Sequence, residues 1–122
     1  AEKWYRKSAE QGTASDQWWL GMLYFSGDGV LQDYKEAEHW SRKAAEQGLA
    51  AAQHNLGAMY GAGIGVPQND IHSHMWLNIA GANGSESSPK LRKTIESRMS
   101  KEDIVTAQEL ARECVKKNYI GC

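Results

Sequence analysis

Residues 40–69 read WSRKAAEQGLAAAQHNLGAMYGAGIGVPQN, and residues 4–33 read WYRKSAEQGTASDQWWLGMLYFSGDGVLQD. Laid over one another they share 16 of 30 positions, a repeat with a period of 36 residues. Trp4, Trp40 and Trp76 keep that spacing, and so do Gly12, Gly48 and Gly84. Gln17 matches Gln53, Leu20-Gly21 matches Leu56-Gly57, and Tyr24 matches Tyr60. The third copy retains Trp76, Ala80 and Gly84 and then diverges.

Each unit reads as two helices. In residues 33–48, Ala37, Trp40, Ala44 and Ala45 recur at helical spacing. Asp33 suits an N-cap, Glu36 would complete a capping box, and Gly48 supplies the left-handed residue after the last turn. In residues 50–63, Ala52, Leu56 and Tyr60 stack one above another, and Gly57 beside them permits a close helix approach. The loops GDGVLQD and GIGVPQN join the pairs. The spacing predicts helices over 2–11, 14–26, 34–47, 50–62, 70–82, 89–99 and 101–118. Ser88-Pro89 reads as a cap followed by a first-turn proline, and Ser100 to Asp103 as another capping box. Leu91, Ile95 and Met99 form one stripe; Ile104, Ala107, Ala111, Cys114 and Val115 form the next. The predicted fold is all-α, a right-handed superhelical solenoid of antiparallel helix pairs in one repeat domain. Residues 1–12 are the second helix of a truncated unit, 13–48 and 49–84 are repeats, and 85–122 are C-terminal capping helices.

The chain has 122 residues, 14 Lys plus Arg and 15 Asp plus Glu, for a formal charge of -1. That balance lacks the basic footprint of a nucleic-acid binder, and no apolar run is long enough to insert in a membrane. Cys114 and Cys122 are too few for a disulfide framework; a clip across the last turn and two free thiols both fit. Cys114 lies on a packing stripe, where a thiol is inert.

The combination Gln-x-x-Leu-Gly-x-x-Tyr, Gly-x-Gly-Val and Trp-x-x-x-Ala-x-x-Gly resembles the Sel-one-like repeat (SLR) family, related to tetratricopeptide repeats. The resemblance covers roughly residues 1–84, and residues 89–118 are similar to the C-terminal segment of bacterial members. Asp16 departs from the small residue kept at Ala52, Leu31 stands where Pro67 is usual, and residues 85–88 interrupt a third first-helix. The resemblance implies a non-catalytic adaptor that binds a protein or peptide on a concave face. It implies further repeats upstream, and it favours the bacterial envelope, the periplasm or secretion over the cytoplasm.

On the first helices of such pairs, the inward positions are Ser15, Trp18, Met22 and Phe25, matched by Ala51, His54, Ala58 and Gly61. Trp18, Met22 and Phe25 make an apolar stripe, and Ala58 and Gly61 leave room for a ligand side chain. The expected partner site is therefore a groove of Trp18, Met22, Phe25, His54 and Ala58, bordered by Trp19 and Asn55. The same stripe equally fits a core covered by an upstream helix, or an exposed end through which monomers weakly self-associate. Two other functions compete: a structural spacer in a longer array, and a hydrolase acting on cell-wall material.

No residues point to a cofactor. His72 and His74 read as two surface imidazoles, because residues i and i+2 on a helix face apart and cannot chelate a metal. Glu36-x-x-His39 is a single motif where a di-metal site needs two. GAGIGV follows a helix and recurs as GDGV, so it is a turn and not a phosphate cradle. No nucleophile stands in a recognisable catalytic pattern. Lys116-Lys117 suits the end of the last helix.

Overall fold

A computed structural model describes residues 2–122. Among these residues it forms seven helices and no strand: α1 (Glu2–Glu10), α2 (Ala14–Ser26), α3 (Tyr34–Glu46), α4 (Ala50–Ala62), α5 (Asp70–Ala82), α6 (Ser88–Glu96) and α7 (Lys101–Lys116). From α1 to α6, each helix packs on the next, which makes an all-helical solenoid. α6 falls in the register that α4 would have one period later, and it packs on α5 as α4 packs on α3. α7 turns back and makes its main contact with α5.

Local chemistry sets the helix ends. The Asp33 side chain accepts hydrogen bonds from the backbone N–H groups of Lys35 and Glu36. The expected reciprocal half of that capping box is replaced: Glu36 Oε2 accepts from Trp40 Nε1 at 3.1 Å, one turn on. α3 ends in a Schellman motif, with Leu49 N–H donating to Ala44 O, Gly48 N–H donating to Ala45 O, and Gly48 at φ 91°. The same two bonds recur one period later at Ser85 and Gly84. At the start of α6 the cap is Ser87, not Ser88. Ser88 is helical and wholly buried, and its hydroxyl donates to Ser85 Oγ at 2.7 Å. α6 stops at Glu96, short of the expected 99, and α7 stops at Lys116, short of 118.

The core is continuous across units. Trp76, Leu56, Ala52, Ala44 and Ala45 form one cluster with Met75, Ile79, Ala111 and Cys114. Trp40 packs with Leu20 and Ala9 in a second. The two clusters use the same repeat positions: Leu20 against Trp40 corresponds to Leu56 against Trp76. The polar bonds repeat likewise. Gln17 Nε2 donates to Ala9 O and Gln53 Nε2 to Ala45 O, both at 3.1 Å. Arg42 donates to the Tyr60 hydroxyl at 2.6 Å, as Arg6 does to Tyr24. Val115, grouped with the packing stripe of α7 in the sequence reading, is 50% exposed.

Candidate functional site

One period separates two inter-helix spaces that differ in how they are filled. In the second space, Gly57 on α4 faces Leu77 on α5 so closely that an added Cβ would lie 2.8 Å from Leu77 Cγ. In the first, Gly21 on α2 faces α3 at the corresponding position, Ser41, whose Oγ would lie 3.0 Å from such a Cβ. The serine side chain has two fewer heavy atoms than that of leucine, so the first space is not closed. It remains a groove of about 220 Å³ between α2 and α4, floored by Ala37 and Ser41. Met22 and Phe25 line one side, and Asn55, Ala58, Met59 and Ala62 the other.

The groove carries no charged lining residue. Its surface is almost wholly apolar, and the Asn55 carboxamide sets a polar edge, donating to Met22 Sδ at 3.2 Å. Phe25 rests against the Tyr34 ring at 5.4 Å between centroids. The arrangement offers a place for an uncharged side chain, held by dispersion contacts with a polarizable sulfur and a ring.

Of the seven residues singled out from the sequence, Met22, Phe25, Asn55 and Ala58 line this one groove. The other three stand elsewhere. Trp18 packs half-buried against the main core cluster. Trp19 points to the N-terminal end, where it stacks on Tyr5 at 6.4 Å. His54 Nδ1 lies 2.7 Å from Ser88 Oγ, so the imidazole is engaged by the start of α6. Gly61 leaves no room for a ligand side chain, because Ile95 Cδ1 and Ser73 Oγ would each lie 2.9 Å from a Cβ there. Ala37, Ser41, Met59 and Ala62 were missed by the sequence reading. The signal for Ser41 was present as its 36-residue match to Leu77.

His72 and His74 are not a pair of surface imidazoles. His74 is buried, and its Nε2 lies 2.6 Å from Glu96 Oε2, which ties α5 to α6. His72 is half-buried against the Tyr60 ring at 5.3 Å. Burial holds the His72 imidazole below the ordinary histidine value of 6.5, and the Arg42 guanidinium adds to the effect. Burial lowers His54 in the same way. Among the described residues no cluster of three or more His, Cys, Asp or Glu side chains could hold a metal ion. Ser88 and His54 form a hydroxyl–imidazole contact that the sequence reading did not foresee, but Ser88 has no exposed surface for a substrate to approach.

The cysteines are neither free nor available as nucleophiles. Cys114 and Cys122 are disulfide-bonded, with Cα atoms 5.7 Å apart. The bond fastens a C-terminal hook in which Asn118 and Tyr119 take positive φ, 54° and 68°. That turn lays the Tyr119 ring over Gly48 and brings its hydroxyl to 3.2 Å from Asn83 Nδ2.

Comparison with known proteins agrees with the helical repeat fold. A model of the Sel1 repeat matches residues 1–13, 14–49 and 50–85. No curated protein matches the chain. Several solved structures are similar, two of them as follows. One is a protective antigen present in uropathogenic Escherichia coli strains and displaying an SLR fold; it has 31% identity over 98% of this chain, with a TM-score of 0.92. The other is a Sel1 repeat protein from Oxalobacter formigenes, with 38% identity over 76% of this chain and a TM-score of 0.75. This chain spans 27% of the length of each. With its repeat motifs, its helix pairs and the matches to three successive units, the chain belongs to the Sel1 repeat family.

Proposed function

We propose that the chain is a non-catalytic adaptor that holds an apolar side chain of a partner protein or peptide in the groove between α2 and α4. Sel1 repeat proteins are generally protein-interaction scaffolds. The observation that supports this particular site is the contrast between Ser41 and Leu77 at one repeat position, which leaves one inter-helix space open and fills the next. The lining selects for an uncharged aliphatic side chain, since a buried charge there would have no counter-ion. The disulfide supports an oxidising compartment, such as the periplasm or the exterior.

Ser41→Leu tests the site, because it copies into the groove a side chain the fold already accepts beside Gly57. Peptides selected from a random library on the wild-type chain should carry an aliphatic anchor and lose binding to the variant, while circular dichroism shows the same helix content. Equal binding to wild type and variant would remove the groove as the site.

A further inference from the structure

The face shared by α5 and α7 carries a second depression that shares no residue with the groove. It is an open trough of about 610 Å³ between the C-terminal halves of α5 and α7. Its floor is apolar. Ile79 and Ala111 are buried beneath it, while Ala82 and Val115 reach its surface. Its charges have one sign: Arg112 and Lys116 line it, and no carboxylate does.

The placement of those two cations needs explanation. They stand four residues apart on α7 and so share a face, a spacing at which like charges repel. Neither makes an ion pair among the described residues. The helix dipole accounts for Lys116, in the last turn of α7, but not for Arg112 one turn earlier; Lys117, the C-cap residue, donates from its Nζ to Gly121 O at 3.4 Å. On the neighbouring α6, Glu96 is engaged by His74 and lies 3.6 Å from Arg92 Nε. Arg92 in turn donates to Asn78 at the trough's edge. The walls are fixed: Ala111 and Cys114 sit in the main core, and the disulfide anchors the end of α7.

We propose that this trough docks an acidic amphipathic segment of a partner protein. Its apolar side chains would settle along Ile79, Ala82, Ala111 and Val115, and its carboxylates would meet Arg112 and Lys116. The apolar floor supplies contact area, and the unpaired cations select the sign of the partner and speed its approach.

The test uses two synthetic amphipathic peptides of about 15 residues with identical apolar positions, one with Glu and one with Lys at the polar positions. Each is titrated into the isotopically labelled 122-residue chain and followed by amide chemical shifts. The Glu peptide should bind at least about tenfold more tightly, weaken as salt rises, and shift residues 78–82 and 108–116. Arg112→Glu/Lys116→Glu, both at exposed sites, should keep the fold and reverse the preference to the Lys peptide. Val115→Ser should weaken the Glu peptide while leaving the binding of a single-stranded oligothymidylate unchanged. Equal affinity for the two peptides, shifts confined to α2 and α4, or an unreversed preference would overturn the proposal. So would an oligothymidylate that competes as well as the Glu peptide, because the surface would then read charge alone.

Discussion

The three tryptophans at one repeat position provide a graded test of how the solenoid holds together. Trp4 is 65% exposed, Trp40 is 5% exposed and Trp76 is 0% exposed. Their chemistry is the same, so the differences come from what covers them. A tryptophan side chain presents on the order of 200 Å². At about 25 cal/mol per Å², nearly complete burial of Trp40 is worth close to 5 kcal/mol before allowance for residual structure in the unfolded chain. Trp40→Ala should therefore cost about 3–5 kcal/mol, which includes the hydrogen bond from its Nε1 to Glu36. Trp4→Ala, with two thirds of the ring already in water, should cost no more than about 1.5 kcal/mol. Trp76→Ala should match or exceed Trp40→Ala. The assay is urea unfolding followed by far-UV circular dichroism. Trp40→Ala should also lower the m-value, because the unit from α1 to α3 can unpack while the disulfide-anchored end from α4 to α7 stays folded. Equal losses at Trp4 and Trp40, or a Trp40→Ala protein that melts with the wild type, would refute the idea that stability resides in the packing between units.

Two further outcomes follow from the C-terminal hook and the buried imidazoles. The disulfide closes a loop with a sequence separation of 8, so reduction or Cys122→Ser should lower unfolding free energy by about 2.5 kcal/mol. A thermal melt with and without reductant reads this, and an unchanged midpoint would mean that Tyr119 and the core hold the hook unaided. Burial keeps His54 and His72 below 6.5 in the folded chain, so as pH falls past that value the unfolded chain takes up protons that the folded chain does not. Stability should be full above pH 6.5 and decline through the window below it; a His54→Gln/His72→Gln variant should flatten that decline in urea melts at about pH 7.5 and about pH 5.

Much of the fold was legible in the sequence because helix periodicity and caps are local. Ala37, Trp40, Ala44 and Ala45 are buried as their spacing predicts, and Asp33 and Gly48 bound α3 as their chemistry predicts. The candidate site was half legible. Helical phase alone put Met22, Phe25, Asn55 and Ala58 on one groove. It failed for Trp18, Trp19, Gly61 and His54 because a helix face several residues wide meets different neighbours along its length. Trp18 meets the core, Trp19 meets Tyr5, Gly61 meets Ile95, and His54 meets Ser88. The partners on α6 and α1 lie 34 and 14 positions away from His54 and Trp19. Nothing in the local pattern specifies them.

By itself the sequence determined the repeat, the helix pairs and the recurring apolar positions, since each unit must bury its apolar face on the next. Only the tertiary structure decided which inter-helix space stays open, that α7 returns to α5, and that Cys114 meets Cys122. The physical reason is that these outcomes depend on side-chain volume and approach between helices brought together from distant parts of the chain. Ser41 in place of Leu77 changes nothing in α3 considered alone, yet it is the difference between a groove and a filled core.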